Sequence, residues 1–357
     1  MARTVAAVRT PGMRRQAREN AEKQLRLAFY RMLATVVMLR HACGIVAVSG
    51  SAGWWLTALC ALPGFAVYGL MRFALRAAGV KSVPALAAKC FGFKGMRMMN
   101  AVPAAVLAVE GAASLTALTT VFTDGAMTAV SAWMFALSAA AVLCLCTGRD
   151  GLVHGTGLLR WVLGAFTAAV LTNMLLQAQA DHLFPLGGNG ASSWMGVLRA
   201  HRSMAWPVLL LLWEEPPEGS GRRFLMPVTL TVAFAAVLCL MLPHEALIQP
   251  RTMAESMLLP GAALHPVNRM LLMCLWTAGL ALSALIAAVR TADLLMLRPL
   301  PERWLPCALL IAFAALQLLD GGMLHGVIFA LEGWLLVPFA ALAAVLPIYA
   351  RRRRKAP

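Results

Sequence analysis

Long apolar runs, each close to the length needed to cross a bilayer as a helix, recur along almost the whole chain and limit what it can become. About twenty consecutive apolar residues span the hydrocarbon core. The runs fall at 27–48, 54–76, 98–122, 126–147, 155–177, 224–243, 267–296, 304–320 and 325–349, with a shorter one at 204–215. Ten transmembrane helices are therefore expected. The longest pieces between runs, 77–97, 178–203 and 244–266, leave no room for a soluble domain. Charged residues make up only 13% of the 357 positions and the mean hydropathy is +0.74. A soluble domain of this size carries about 25% charged residues, so most of this surface is predicted to face lipid.

The net charge of +16 is distributed in a way that excludes a nucleic-acid groove, which needs a folded polar surface. Its charges sit in short clusters between the apolar runs. With the N-terminus inside, the inner segments hold twenty-four of the 31 basic residues, among them Arg72, Arg76, Lys81, Lys89, Lys94, Arg97, Arg222, Arg223 and the closing Arg351 to Lys355. The outer segments hold Arg199, Arg202, Arg251 and Arg269. That bias predicts an inner-membrane protein with both termini cytoplasmic. Trp54, Trp55, Trp133, Trp161, Trp304 and Trp334 fall toward run ends, as an aromatic belt requires. The basic N-terminal segment has no apolar core, so no cleavable signal peptide is expected. The domain plan is a basic segment 1–26, one transmembrane domain 27–349 and a basic tail 350–357. Segment 81–95, KSVPALAAKCFGFKG, is amphipathic and too short to span, and is expected to lie on the membrane surface.

Two runs look interrupted. In the first, Arg40–His41 stands mid-run and is followed by Ala42, Cys43 and Gly44. The sixth, SMAWPVLLLLW, has only about ten apolar residues, contains Pro207 and ends at Glu214–Glu215–Pro216–Pro217. If the chain is two inverted five-helix repeats, about 27–177 and about 204–349, the first and sixth helices correspond. Discontinuous helices at corresponding places point to a transporter's binding site, because the breaks free backbone groups for a ligand. The ligand-binding candidates are therefore Arg40, Ala42, Cys43, Gly44, Glu110, Ser203, Ala205 and Trp206. Mid-membrane charge costs several kcal/mol, so Arg40 needs a partner or a wet cavity. Glu110 is the acid well inside a run, and a structural Arg40–Glu110 pair and a ligand-binding role both fit. His41 reads as a packing residue. Arg290 and Asp293, three apart, are expected to pair on one helical face.

Catalytic motifs such as HExxH, GxSxG or a Walker loop do not occur, and the seven histidines lack metal-ligand spacing. The eight cysteines lie largely in apolar runs, where cysteine acts as a small hydrophobe. No enzyme activity, cofactor or metal is predicted.

The order of features resembles one family. MLRHACGIVAV and then SAGWWLTALCALPGF are similar to the first break and tryptophan-led second helix of the spore germination permeases, the B subunits of nutrient germinant receptors. KSVPALAAKCFGFKGMRMMN resembles that family's surface helix, GRDGLVHGTGLLRWVLG its short loop before the fifth helix, and HLFPLGGNG the loop after it. The resemblance covers roughly residues 20–357. It implies an all-α fold of the amino acid–polyamine–organocation superfamily, with 5+5 inverted repeats. It further implies a complex with an A subunit and a C-subunit lipoprotein in the spore inner membrane, and sensing of a small nutrient such as an amino acid. An ion-coupled amino acid permease and a ligand-free structural subunit share the same fold and stay open as readings.

Overall fold

The computed structural model describes residues 11–124, 164–165, 167–176, 178–214, 220–248, 266–295, 308–312 and 315. The expected fourth and tenth helices, about half of the fifth, most of the ninth, and the basic tail lie outside the described residues. Every regular element among those described is helical.

Helix α1 (Pro11–Ser49) continues without interruption through Arg40, His41 and Gly44. The expected break in the first helix is therefore absent. Histidine and arginine carry no helix-breaking chemistry, and Gly44 serves a different end: a Cβ built on it would lie 3.0 Å from the His201 ring. The residue is small so that another segment can approach. At 39 residues and about 1.5 Å per residue, α1 is much longer than a bilayer requires. From Leu27 onward almost every side is buried, including Tyr30, Leu33, Val37, His41 and Ile45. It is a central helix, apolar nearly all round.

The chain turns at Gly50, whose φ of 63° favours glycine. A single 3₁₀ turn (Gly50–Ala52) leads into α2 (Gly53–Ala77). The span α3 (Val83–Asp124) comprises two helical pieces joined at Gly92, with φ 69° and ψ −163°. The piece before Gly92 covers most of the segment expected at the membrane surface; Phe91 at its end and Phe93 just past Gly92 are exposed. The piece after it is the third span. It packs along α7, described below, through small buried residues: Ala104, Ala112 and Ala113 on one side, Ala284, Ala287 and Ala288 on the other. Small residues let helix backbones approach closely in a membrane, where van der Waals packing drives association. Ser114 Oγ donates across this seam to Ser283 Oγ at 3.1 Å.

The piece between runs at 178–203 is partly helical. It holds a 3₁₀ turn (Ala180–Leu183) and α4 (Ala191–His201). The sixth run is interrupted, as its proline and brevity predict. After α4 come turns at 202–205, then eight fully buried residues of 3₁₀ helix (Trp206–Trp213), then extended backbone at Glu214. Such a run is unusual, since 3₁₀ helices rarely exceed 3–4 residues and long ones often mark a hinge. A further 3₁₀ turn (Ser220–Phe224) leads into α5 (Leu225–Met241), followed by the single turn α6 (His244–Leu247) and the long α7 (Pro266–Leu295). Four stretches, Leu27–Ala77, Val83–Thr119, Ser220–Met241 and Met273–Leu295, are long and apolar enough to cross a membrane.

Candidate functional site

Helix α1 crosses the interrupted sixth run near its middle, and the sequence candidates gather there unevenly. Arg40 Nη2 donates to both oxygens of Glu110, at 2.8 and 2.9 Å. Glu110 is 0% exposed, so the pair brings two charges into the interior with nearly no net charge. One carboxylate accepting from one guanidinium is the arrangement that makes such burial tolerable. Of the two roles left open for these residues, the structure displays the ion pair.

One residue further along α1, His41 Nδ1 lies 2.9 Å from His201 Nδ1, with ring centroids 5.2 Å apart and planes at 87°. Both rings are buried. Gly44, one turn on, sits under the same His201 ring. Ala205 is met by α2: a Cβ on Gly64 would lie 2.7 Å from the Ala205 Cβ. The 201–205 turn is thus wedged between α1 and α2 at two glycines.

The turn's backbone is largely satisfied within itself. Met204 N–H donates to His201 O at 3.0 Å, Trp206 N–H to Ser203 O at 2.7 Å and Val208 N–H to Ala205 O at 3.1 Å. Two side chains are not. Ser203 Oγ and Trp206 Nε1 are buried without a hydrogen-bond partner among the described residues. Buried polar groups nearly always find partners, and leaving one unmade costs about 1–3 kcal/mol. Side chains three apart in a 3₁₀-like turn lie on one side, so these two donors share a side of the interrupted segment.

Ala42 and Cys43 do not join them. They are buried in a separate apolar cluster with Val46, Leu118, Phe234 and Leu238, whereas Ala205 and Trp206 belong to the cluster with Met38, Leu56 and Leu209. Because α1 is unbroken there, the backbone of 42–44 stays in the helix rather than being freed for a ligand.

Two further groups of residues fasten the buried part of α1, 27–49, at its two ends, and the sequence reading missed most of them. At the Tyr30 end, Arg290 of α7 is 3% exposed. Its Nε donates to the Tyr30 hydroxyl at 3.0 Å and its Nη1 to Asp293 Oδ2 at 2.9 Å. Its Nη2 contacts both Tyr30 Oη and Glu214 Oε1. The Tyr30 hydroxyl donates to Glu214 Oε1 at 3.1 Å, and the guanidinium lies 5.1 Å from the Tyr30 ring centroid. The Arg290–Asp293 pair was legible from its spacing. Tyr30 and Glu214, 184 residues apart, were not; the available signal was an acid closing an apolar run while an arginine stood inside another.

At the Ser49 end the ties are neutral. Asn189 Nδ2 and Ser193 Oγ donate to Val48 O at 2.6 and 3.0 Å. Ser51 Oγ donates to Pro185 O at 2.5 Å. His244 sits between them, with Nε2 3.0 Å from Asn189 Oδ1 and Nδ1 3.4 Å from the Ser51 amide nitrogen. Asn189 Oδ1 can only accept, so Nε2 carries the proton and Nδ1 accepts from Ser51 N–H. Among the described residues no three His, Cys, Asp or Glu side chains gather as a metal site.

No family model matches the sequence, and no curated protein matches it significantly. Solved structures do. Mhp1, a nucleobase-cation-symport-1 family transporter in a closed conformation with bromovinylhydantoin bound, superposes with a TM-score of 0.58 at 14% identity, over 93% of this chain and 78% of that one. The Eremococcus coleocola manganese transporter, in complex with an aromatic bis-isothiourea substituted compound, superposes with a TM-score of 0.53 at 14% identity, over 91% of this chain and 78% of that one. These likenesses establish the fold: a multi-pass, all-helical integral membrane protein of the LeuT-like architecture.

Proposed function

We propose that this chain binds a small molecule at the interrupted sixth run, between Ser203 and Trp206, against the face of α1 that carries Arg40 and Gly44. The single observation that carries the reading is the pair of buried donors, Ser203 Oγ and Trp206 Nε1, that find no partner among the described residues, at a hinge-like break. A ligand offering a carboxylate or another hydrogen-bond acceptor would satisfy both. An amino acid is such a ligand. Arg40 and Glu110 enter as a pair that a ligand's own charged groups could open, while Ala42 and Cys43 pack in the separate apolar cluster and take no direct part.

The finer reading is a membrane subunit of a nutrient germinant receptor, working with an A subunit and a C-subunit lipoprotein, with both termini on the cytoplasmic side of the inner membrane. Its support is the order and spacing of motifs along the chain. A second reading, an ion-coupled amino acid permease, is favoured by the fold held in common with two transporters.

Two measurements separate these. Purified protein screened against amino acids should gain thermal stability with a true ligand, by about 2.7 kcal/mol at one hundred times its dissociation constant. If no amino acid shifts the transition, the binding reading fails and a ligand-free structural subunit takes its place. Radiolabelled uptake into proteoliposomes then decides between sensing and transport: a binder without uptake above empty vesicles is a sensor.

A further inference from the structure

We propose that the stretch around Gly92 docks on anionic phospholipid, with Lys89, Lys94 and Arg97 taking the headgroup phosphates and Phe91 and Phe93 entering the bilayer boundary. The inference concerns the membrane surface and is independent of any ligand at the sixth run.

Charge pattern sets the partner's sign. Between Glu22 and Glu110 the chain carries no acidic residue, while Arg72, Arg76, Lys81, Lys89, Lys94 and Arg97 all fall within 72–97. Lys81, Lys89, Lys94 and Arg97 are exposed, and among the described residues none of these four is paired with a carboxylate. Unopposed bases at a membrane surface attract acidic headgroups, each base being worth roughly a fivefold change in binding.

Local structure then brings apolar and basic side chains together. In the piece before Gly92, Val83 and Ala87, one turn apart, are buried, whereas Ala85, Ala88 and Lys89 face outward. After Gly92, Phe93, Lys94, Arg97 and Met98 are exposed together, at the three- and four-residue spacing of one helical face. The Arg97 guanidinium lies 4.8 Å from the Phe93 ring centroid, a cation–π contact that holds the charge beside the ring. The bend between the two pieces is tight: Gly95 is buried, and a Cβ on it would lie 2.3 Å from the Phe91 Cβ. Phe91 and Phe93 are nonetheless 78% and 57% exposed, so neither ring is used up by the core.

The third span fixes the depth. Met98, Ala101, Val102 and Ala105 are exposed with a helical period, an apolar stripe of the kind that faces lipid. Lys94 and Arg97 stand at its start. There long basic side chains lay their stems along apolar surface and keep their charges among the headgroups. An amphipathic piece with aromatic residues on one side and bases at its rim lies in the plane of the interface. The occupant is therefore an acidic bilayer rather than a free anion, which would meet the bases but leave both phenylalanines in water.

Full-length protein in nanodiscs tests this by hydrogen–deuterium exchange. Compared with discs of phosphatidylcholine alone, discs that also contain phosphatidylglycerol should slow amide exchange across 83–97 by roughly fivefold or more. Salt at about 1 M, which cuts the screening length to about 3 Å, should remove the difference. Lys89→Gln combined with Lys94→Gln should forfeit most of the protection. Both lysines are exposed and unpaired, so this double variant should keep the wild-type unfolding midpoint in phosphatidylcholine. If it does not fold, the wild-type comparison between the two lipids still decides. Equal exchange in the two lipids, or full protection in the double variant, would overturn the proposal. So would protection by glycerol phosphate added to neutral discs, which would mark phosphate binding without docking. Protection by an acidic peptide alone would overturn it too, and would mark the surface as a protein contact.

Discussion

At its Tyr30 end α1 is tied to α7 and to the end of the sixth run by charge, and at its Ser49 end it is tied to a loop and to α6 by neutral hydrogen bonds. Both ends carry several polar contacts, yet they should behave differently. Arg290 is nearly inaccessible, and among the described residues its cluster sets one cation against two carboxylates and a phenol. Taking one member away strands charge in a poorly solvated place. The other end is made of amides, hydroxyls and an imidazole, several of them open to solvent. Each of those bonds exchanges with water and is worth about 1 kcal/mol net. Local opening begins where contacts are few and solvated, so the Ser49 end is the softer and the Tyr30 end the anchor.

The sharpest way to break that contrast is Arg290→Ala. Two facing carboxylates would lose the Arg290 cation, and the Tyr30 hydroxyl a donor. Breaking a buried pair costs about 3–5 kcal/mol, which should appear as a lower unfolding midpoint in mixed micelles. A loss no larger than that of a single neutral bond would show that the cluster is already hydrated and does not anchor the helix.

Gly50→Ala attacks the softer end at its turn. A Cβ there meets φ +63° and would lie 2.4 Å from the His244 ring. The left-handed conformation costs about 1–2 kcal/mol for a non-glycine residue. Displacing the ring adds roughly 1 kcal/mol for its lost hydrogen bonds, giving about 2–3 kcal/mol in the same assay. An effect near zero would mean that the turn relaxes freely and that His244 is not a tie.

Why one break was legible and the other was misread follows from what sequence encodes. Pro207, the shortness of the apolar run and the Glu214–Pro217 cluster each oppose a continuous helix locally, so the interruption at 202–213 can be seen without neighbours. Arg40, His41 and Gly44 oppose a helix far less. Their unusual character is explained by partners 70 and 160 residues away, which no local pattern reveals. The actual turn is at Gly50, beyond the residues where the break was expected. Glu110 was identifiable because an acid inside an apolar run must be paired. Tyr30, Asn189 and His244 look ordinary in sequence, and only the folded chain gives them a role. Likewise the 178–203 segment reads as polar, but its α4 half is a short helix ending in His201 at the candidate site.

Tyr30→Phe sharpens the comparison from the other side. It keeps the ring and its contact with the guanidinium while removing the hydroxyl that accepts from Arg290 and donates to Glu214. Hydrogen bonds to charged groups are worth about 1.5–3 kcal/mol. Because Arg290 keeps both carboxylates, the lower half of that range, about 1.5–2 kcal/mol, is expected. A double-mutant cycle with Glu214→Gln should then show coupling, since the two sites share partners. Additive losses would mean that Tyr30 packs beside the cluster rather than belonging to it.

The smallest effect is expected from Asn189→Ala, and it tests the softness of the Ser49 end directly. The side chain makes two bonds, to Val48 O and to His244 Nε2, and is itself exposed. Water can replace both partners, so global stability should fall by only about 0.5–1.5 kcal/mol. The local consequence should be larger in proportion. Without Asn189 the Val48 carbonyl and the His244 ring lose their shared link, and amide exchange at Ser49 to Ala52 should accelerate while exchange around Tyr30 does not change. That selectivity is the discriminating result. If exchange quickened equally at both ends of α1, the helix would be moving as one rigid piece, and the division into an ionic anchor and a neutral, yielding end would be wrong.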